Sequence, residues 1–154
     1  MTIATRTSVL RRQHDAAMAI AQETGRNAAR FADAPRREDA YALTLSLARL
    51  TGLLHIHFAQ EDRLLYPQLM AVETGDVAEV AQRFFKEMGP ISAYYADVTT
   101  RWSSVDALMA EPQRFAREVT ELFAALGQRI RRENQELYPL AEALWANSGL
   151  ASAR

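Results

Sequence analysis

The sequence predicts an all-α protein, an up-down-up-down antiparallel four-helix bundle. Three observations carry that reading. Apolar residues recur at three- and four-residue spacing over long stretches rich in Ala, Leu, Glu, Arg and Gln, the pattern of amphipathic helices. Alternating runs bounded by Asn-Gly or Asp-Gly turns are absent, so strands are not expected. The helical stretches number four and are joined by short segments, and four such helices bury their apolar stripes most simply against one another.

The first helix is expected from about Ser8 to Phe31, with the inner stripe Leu10, His14, Ala17, Ala21 and Ala28. The turn "DAPRRED" ends it, because Pro35 disfavours helical geometry at the residue before it. The second runs from about Glu38 to Leu64, through Leu43, Leu47, Leu50, Leu54, His57, Glu61 and Leu64; Pro67 then bends the chain or opens a short extra turn. The third runs from Asp76 to about Arg101 through Val80, Phe84, Met88, Ile91 and Tyr95, with a kink expected at Gly89-Pro90. "WSSVDALMAEP" reads as a loop. The fourth helix has Pro112 in its first turn and runs to about Trp145 through Val119, Leu122, Leu126, Arg129, Glu133 and Leu137. Trp102 and Trp145, near helix ends, either anchor the bundle or form a self-association surface. "ANSGLASAR" reads as a frayed tail.

A length of 154 residues fits one domain, with its core over about residues 8–145 and no need of disulfides. Cysteine is absent, which removes thiolate metal sites, iron–sulfur clusters and Cys nucleophiles. Eighteen basic and 19 acidic residues give a net charge of −1, so no nucleic-acid or anionic-membrane partner is expected. The N-terminus has no apolar signal core, and no apolar run approaches about 18 residues, so neither a secretory signal nor a transmembrane helix is expected. A cytoplasmic location follows as an expectation. There is no Gly-rich phosphate loop and no evident nucleophile–base pair, so an enzyme is not expected.

One segment is written twice. "HIHFAQEDRLLYP" closes the second helix and "GQRIRRENQELYP" sits toward the end of the fourth. Offset by 72 residues, Glu61 falls on Glu133, Leu65 on Leu137, Tyr66 on Tyr138 and Pro67 on Pro139, whereas His57 falls on Arg129. His14 and His57, 43 apart, lie on the stripes of helices one and two; Met88 and Arg129, 41 apart, lie on those of helices three and four. The first half therefore offers His14, His57 and Glu61 to the interior, and the second offers Met88, Arg129 and Glu133. His and Glu at i and i+4 share a helix face, and bundles build metal sites from such inward groups. Imidazole with carboxylate suits Fe, Zn or Mn. His55 lies about 200° round the helix from His57 and is expected to face away.

At these residues the chain resembles the hemerythrin-like, or HHE cation-binding, family over about Val9 to Leu144. The resemblance rests on "QHD" in helix one, H-x-x-x-E-D-x-x-L-Y-P in helix two and E-x-x-x-L-Y-P in helix four. It implies a four-helix bundle of a kind that in many members holds a non-haem di-iron centre. It also implies that His14, His57, Glu61 and Glu133 stand at ligand positions. Met88 and Arg129 stand where helix-three and helix-four histidines are expected, and Phe84 where some members have a further one. At least two histidine ligands are thus replaced, and an intact di-iron centre is not expected.

Arg129 is informative, because a guanidinium cannot ligate a metal and stays protonated. It is expected to point inward, take the place of the second metal and pair bidentately with Glu133, Glu61 or both. Met88 is expected to fill core. Two readings result: a non-catalytic binder of at most one ion (iron, manganese or zinc) or of a small ligand, and a metal-free regulatory or protein-interaction module. The protein partner is left unspecified, and a homo-oligomer is compatible with either.

Overall fold

The structure, a computed structural model, describes the backbone of residues 3–151 and the side chains of residues 7–148. The described residues are all-α. In chain order they form α1 (Ile3–Asp33), α2 (Arg37–Gln60), a π-helical turn (Glu61–Leu65), α3 (Tyr66–Met70), α4 (Val77–Arg101), α5 (Val105–Ala110), α6 (Pro112–Arg132), a second π turn (Glu133–Leu137) and α7 (Tyr138–Ala151). Because each π turn joins its neighbours without a break, these elements make five continuous runs, four long and one short. The short one, α5, falls in the expected loop. Ser104 caps it by accepting the Ala107 N–H at 3.2 Å, and Leu108 is buried beneath it.

Several boundaries move. The first helix starts earlier than expected and reaches Asp33. The second does not stop near Leu64 but continues to Met70. α4 runs unbroken through Pro90; the carbonyl of Lys86, which proline leaves without a donor, sits on an exposed turn where water can bond it. α7 carries the expected tail as helix through Ala151, and its last three residues lie outside the described residues. Trp102 and Trp145 are both buried, so they anchor the bundle and form no surface.

The first π turn accounts for the one error in the expected inner stripes of helices two and four, and the second repeats its geometry. Tyr66 N–H bonds the Glu61 carbonyl and Tyr138 N–H bonds the Glu133 carbonyl, each five residues back. A proline follows in both cases. Its ring crowds the carbonyl four residues earlier, and a wider turn relieves that clash. The extra residue rotates everything downstream by about 100°. Leu64 is consequently turned outward, 48% exposed, while Leu65, Tyr66 and Leu69 face the core; Leu137, Tyr138 and Ala141 do the same in the second copy.

Two apolar clusters result. One gathers Ala17, Leu50, Leu54, Leu122, Leu126 and Ile130. The other gathers Leu10, Leu65, Tyr66, Phe84, Leu137 and Tyr138. Between them, on three of the four long runs, lie the buried polar residues His14, His57, Glu61, Arg129 and Glu133. The core is a sandwich of two greasy layers around one charged layer.

Arg37–Met70 is also, among the described residues, a helix long and apolar enough by length and composition to cross a membrane. None was expected, because charged and polar residues interrupt every apolar run of this helix. Its apolarity comes from having two apolar faces, one of which packs inside the bundle.

Candidate metal centre

Each histidine is held by an amide. His14 Nδ1 donates to Asn134 Oδ1 at 2.8 Å, and His57 Nδ1 donates to Gln13 Oε1 at 2.8 Å. Gln13 is fixed in turn by donating to Gln60 Oε1 at 2.9 Å. An amide oxygen can only accept, so each Nδ1 carries its hydrogen and each ring turns its Nε2 toward the interior. Those nitrogens converge. His14 Nε2 lies 3.0 Å from His57 Nε2, His57 Nε2 lies 2.5 Å from Glu61 Oε1, and His14 Nε2 lies 3.6 Å from Glu133 Oε2. One donor atom from each of His14, His57, Glu61 and Glu133 falls within 4.8 Å of the others, all four residues being buried. The Tyr138 hydroxyl closes one side, 3.2 Å from His14 Nε2 and 3.5 Å from Glu133 Oε2.

The charges are unevenly distributed. Burial, and then the neighbouring His14, lowers the His57 pKa to about 4, so this ring is neutral near pH 7. Burial and the facing Glu133 carboxylate push Glu61 well above the ordinary carboxylate range. Burial acts on Glu133 in the same direction but is outweighed there by His14, Glu61 and Arg129, which hold it low. Burial thus favours the protonated form of Glu61, whose Oε1 faces His57 Nε2, and Arg129 favours the ionised form of Glu133.

A prediction follows for Glu61. Its raised pKa means that its contribution to folding is complete below the unfolded value of 4.5 and is lost as pH rises through the folded value. Glutamine keeps a donor for His57 Nε2 and never ionises. Metal-free Glu61→Gln is therefore expected to be more stable than the parent near neutral pH, with the gain vanishing below the carboxylate range. Urea unfolding of chelator-treated protein across that range measures it. A loss of stability at neutral pH would contradict the assignment.

The structure brings His14, His57, Glu61 and Glu133 together and turns His55 outward. Arg129 points inward, 3% exposed, but not in the expected bidentate pair. It makes a single bond to Glu133, from Nε to Oε1 at 2.7 Å, and none to Glu61. Its Nη2 donates instead to the Tyr66 hydroxyl and the Phe84 carbonyl, each at 2.8 Å. The i,i+4 spacing on α6 presents only the inner edge of the guanidinium to Glu133, and the outer edge is carried toward α4. Met88 is half-buried rather than core; it lines a small cavity, about 40 Å³, beside Glu61 and Glu133.

Sequence reasoning missed the supporting residues Gln13, Asn134, Tyr66 and Tyr138, as well as Glu87, which bonds Arg132 at 2.6 Å and lies 3.7 Å from Arg129 Nη1. The tyrosines carried a signal, since both belong to the repeated Leu-Tyr-Pro. Gln13 and Asn134 each adjoin a site residue in sequence, but nothing in the pattern shows an amide reaching across to another helix.

A helical bundle with a buried His₂Glu₂ layer defines a class of metal-site scaffold. The chain belongs to the hemerythrin HHE cation-binding domain family, whose model matches residues 5–141. No curated protein and no solved structure gives a significant match.

Proposed function

We propose that this domain is a non-catalytic binder of a single transition-metal ion, held by His14 Nε2, His57 Nε2, Glu61 and Glu133, with Arg129 standing in for a second cation. This reading takes the four long helical runs as an up-down-up-down bundle. The observation that carries it is the convergence of four buried donor atoms within 4.8 Å, with both imidazoles fixed from behind. Amide oxygens bonded to the far nitrogen of each ring set the tautomer a metal needs. Glu61 Oε2 adds a fit, being a buried oxygen with no hydrogen-bond partner among the described residues. Two nitrogens and carboxylate oxygens suit iron, manganese or zinc. The bound ion supplies positive charge, and the chain's own groups orient the rings and neutralise Glu133 through Arg129.

The Arg129–Glu133 pair supports a second reading, a metal-free regulatory or interaction module. Burial favours the uncharged forms of Glu61 and His57, and Arg129 offsets the Glu133 charge without an ion. Elemental analysis of protein purified without chelator or added metal separates the two. About one equivalent of iron, manganese or zinc is expected on the first reading, by the one-site donor count. Only trace metal after iron supplementation would favour the module, and about two equivalents of iron would defeat both.

A further inference from the structure

The outer face of α2 is apolar where the bundle gives it nothing to pack against. Tyr41, Leu45 and Ile56 are 59%, 53% and 56% exposed, and Ala48 and Gly52 lie between them on the same face. The most apolar 18-residue window of Arg37–Met70 has mean hydropathy 1.2, yet 28% of it is buried. A glycine in a helix interior costs about 1 kcal/mol relative to alanine, and a Cβ at Gly52 would meet nothing within 4 Å, so packing within the monomer does not require it. A contiguous exposed stripe of this kind marks an interaction surface.

We propose that this face pairs with the same face of a second copy, antiparallel, about a two-fold axis passing between positions 50 and 51. The face is complementary to its own reverse. Under that symmetry Leu45 of one copy meets Ile56 of the other, and Glu38 meets Arg63, so that the acidic first turn of α2 lies against a basic residue just beyond its C-terminal end. Tyr41 enters the shallow groove lined by Ile56, Ala59, Gln60 and Arg63, whose spacing is that of a hole receiving a knob. The aliphatic stem of Arg49 passes over Gly52, where a side chain would obstruct it. Glu38 now pairs with Arg36 on an exposed surface, and such pairs exchange at little cost. All these matches share one register, as an isologous interface requires.

The chain has no cysteine, so introduced thiols report this geometry directly. Leu45→Cys/Ile56→Cys is expected to form an intermolecular disulfide under mild oxidation. Each single variant is expected not to, because like positions lie about 16 Å apart along antiparallel helices, beyond disulfide reach. Wild-type protein is expected to show a concentration-dependent monomer–dimer equilibrium in sedimentation velocity. Leu45→Glu should abolish it with helicity and metal content unchanged. Cross-linking by Leu45→Cys alone as readily as by the pair would overturn the antiparallel register. Wild-type protein that stays monomeric at its solubility limit would overturn the dimer, as would monomers that cosediment with phosphatidylcholine–phosphatidylglycerol vesicles.

Discussion

Metal-free Arg129→Met is expected to unfold about 3–5 kcal/mol more easily than the parent at neutral pH, the usual consequence of stripping one partner from a buried ion pair. Both side chains of the Arg129–Glu133 pair are 2% exposed, so solvent screening does not soften the loss. Methionine fills much of the volume of arginine, which leaves charge as the main variable. The pH dependence has a definite sign. Glu133 has a folded pKa held below its unfolded value, so its contribution is present above about pH 4.5 and is lost as pH falls through the folded value. In Arg129→Met the carboxylate has lost part of what held it low. The gap between variant and parent should therefore be widest at neutral pH and narrow once Glu133 is protonated. Urea midpoints measured from acid to neutral pH decide this. Equal stability of the two proteins at pH 7 would show that Arg129 does not compensate Glu133.

The second large effect concerns stoichiometry. Met88→His/Arg129→His is expected to raise iron uptake from about one equivalent to about two, because imidazoles in place of the thioether and the guanidinium restore nitrogen donors on helices three and four. The local geometry supports the pairing. Met88 lines the small cavity beside Glu61 and Glu133, and Arg129 reaches Glu133 from the adjoining turn. Removing the guanidinium also removes the fixed cation that repels a second ion. Metal analysis of parent and variant after identical iron loading is the measurement, with circular dichroism to verify the fold. Uptake that stays at the parent's level would refute the idea that arginine occupies the second-metal position.

These two experiments address different properties of one residue. The first asks whether Arg129 neutralises the carboxylate layer, and the second asks whether it occupies space that a metal could fill. Phe84 bears on both, since the guanidinium carbon of Arg129 lies 4.8 Å from its ring centroid and that of Arg132 lies 4.7 Å away. Its backbone carbonyl also takes an Arg129 hydrogen bond. The aromatic residue at this position thus supports a cation supplied by the chain.

Much of the site was legible in the sequence because it follows helical periodicity. His14, His57, Glu61, Arg129 and Glu133 each lie on an apolar stripe, and a polar residue on such a stripe is carried into the core wherever the helix packs. The repeat of E-x-x-x-L-Y-P fixed which residues of the two halves correspond. By itself, then, the sequence determined the all-α class and which polar residues lie on the inner stripes, while the structure decided that Arg129 turns inward rather than outward along the bundle. The first two are consequences of local spacing within single helices.

Tertiary structure decided what depends on the distance between helices. The contact of Gln13 with His57 and that of Asn134 with His14 each cross from one rod to another, as does the path of Arg129 Nη2 to Phe84 rather than to Glu61. It also decided the register beyond each glutamate. An α-helical count put Leu64 inside, and the π turn before Pro67 put Leu65 and Tyr66 there. The physical reason is the same in all these cases. Periodicity along one helix sets which way a side chain points, whereas the partner it meets depends on the crossing of two backbones and on where a backbone hydrogen bond skips a residue.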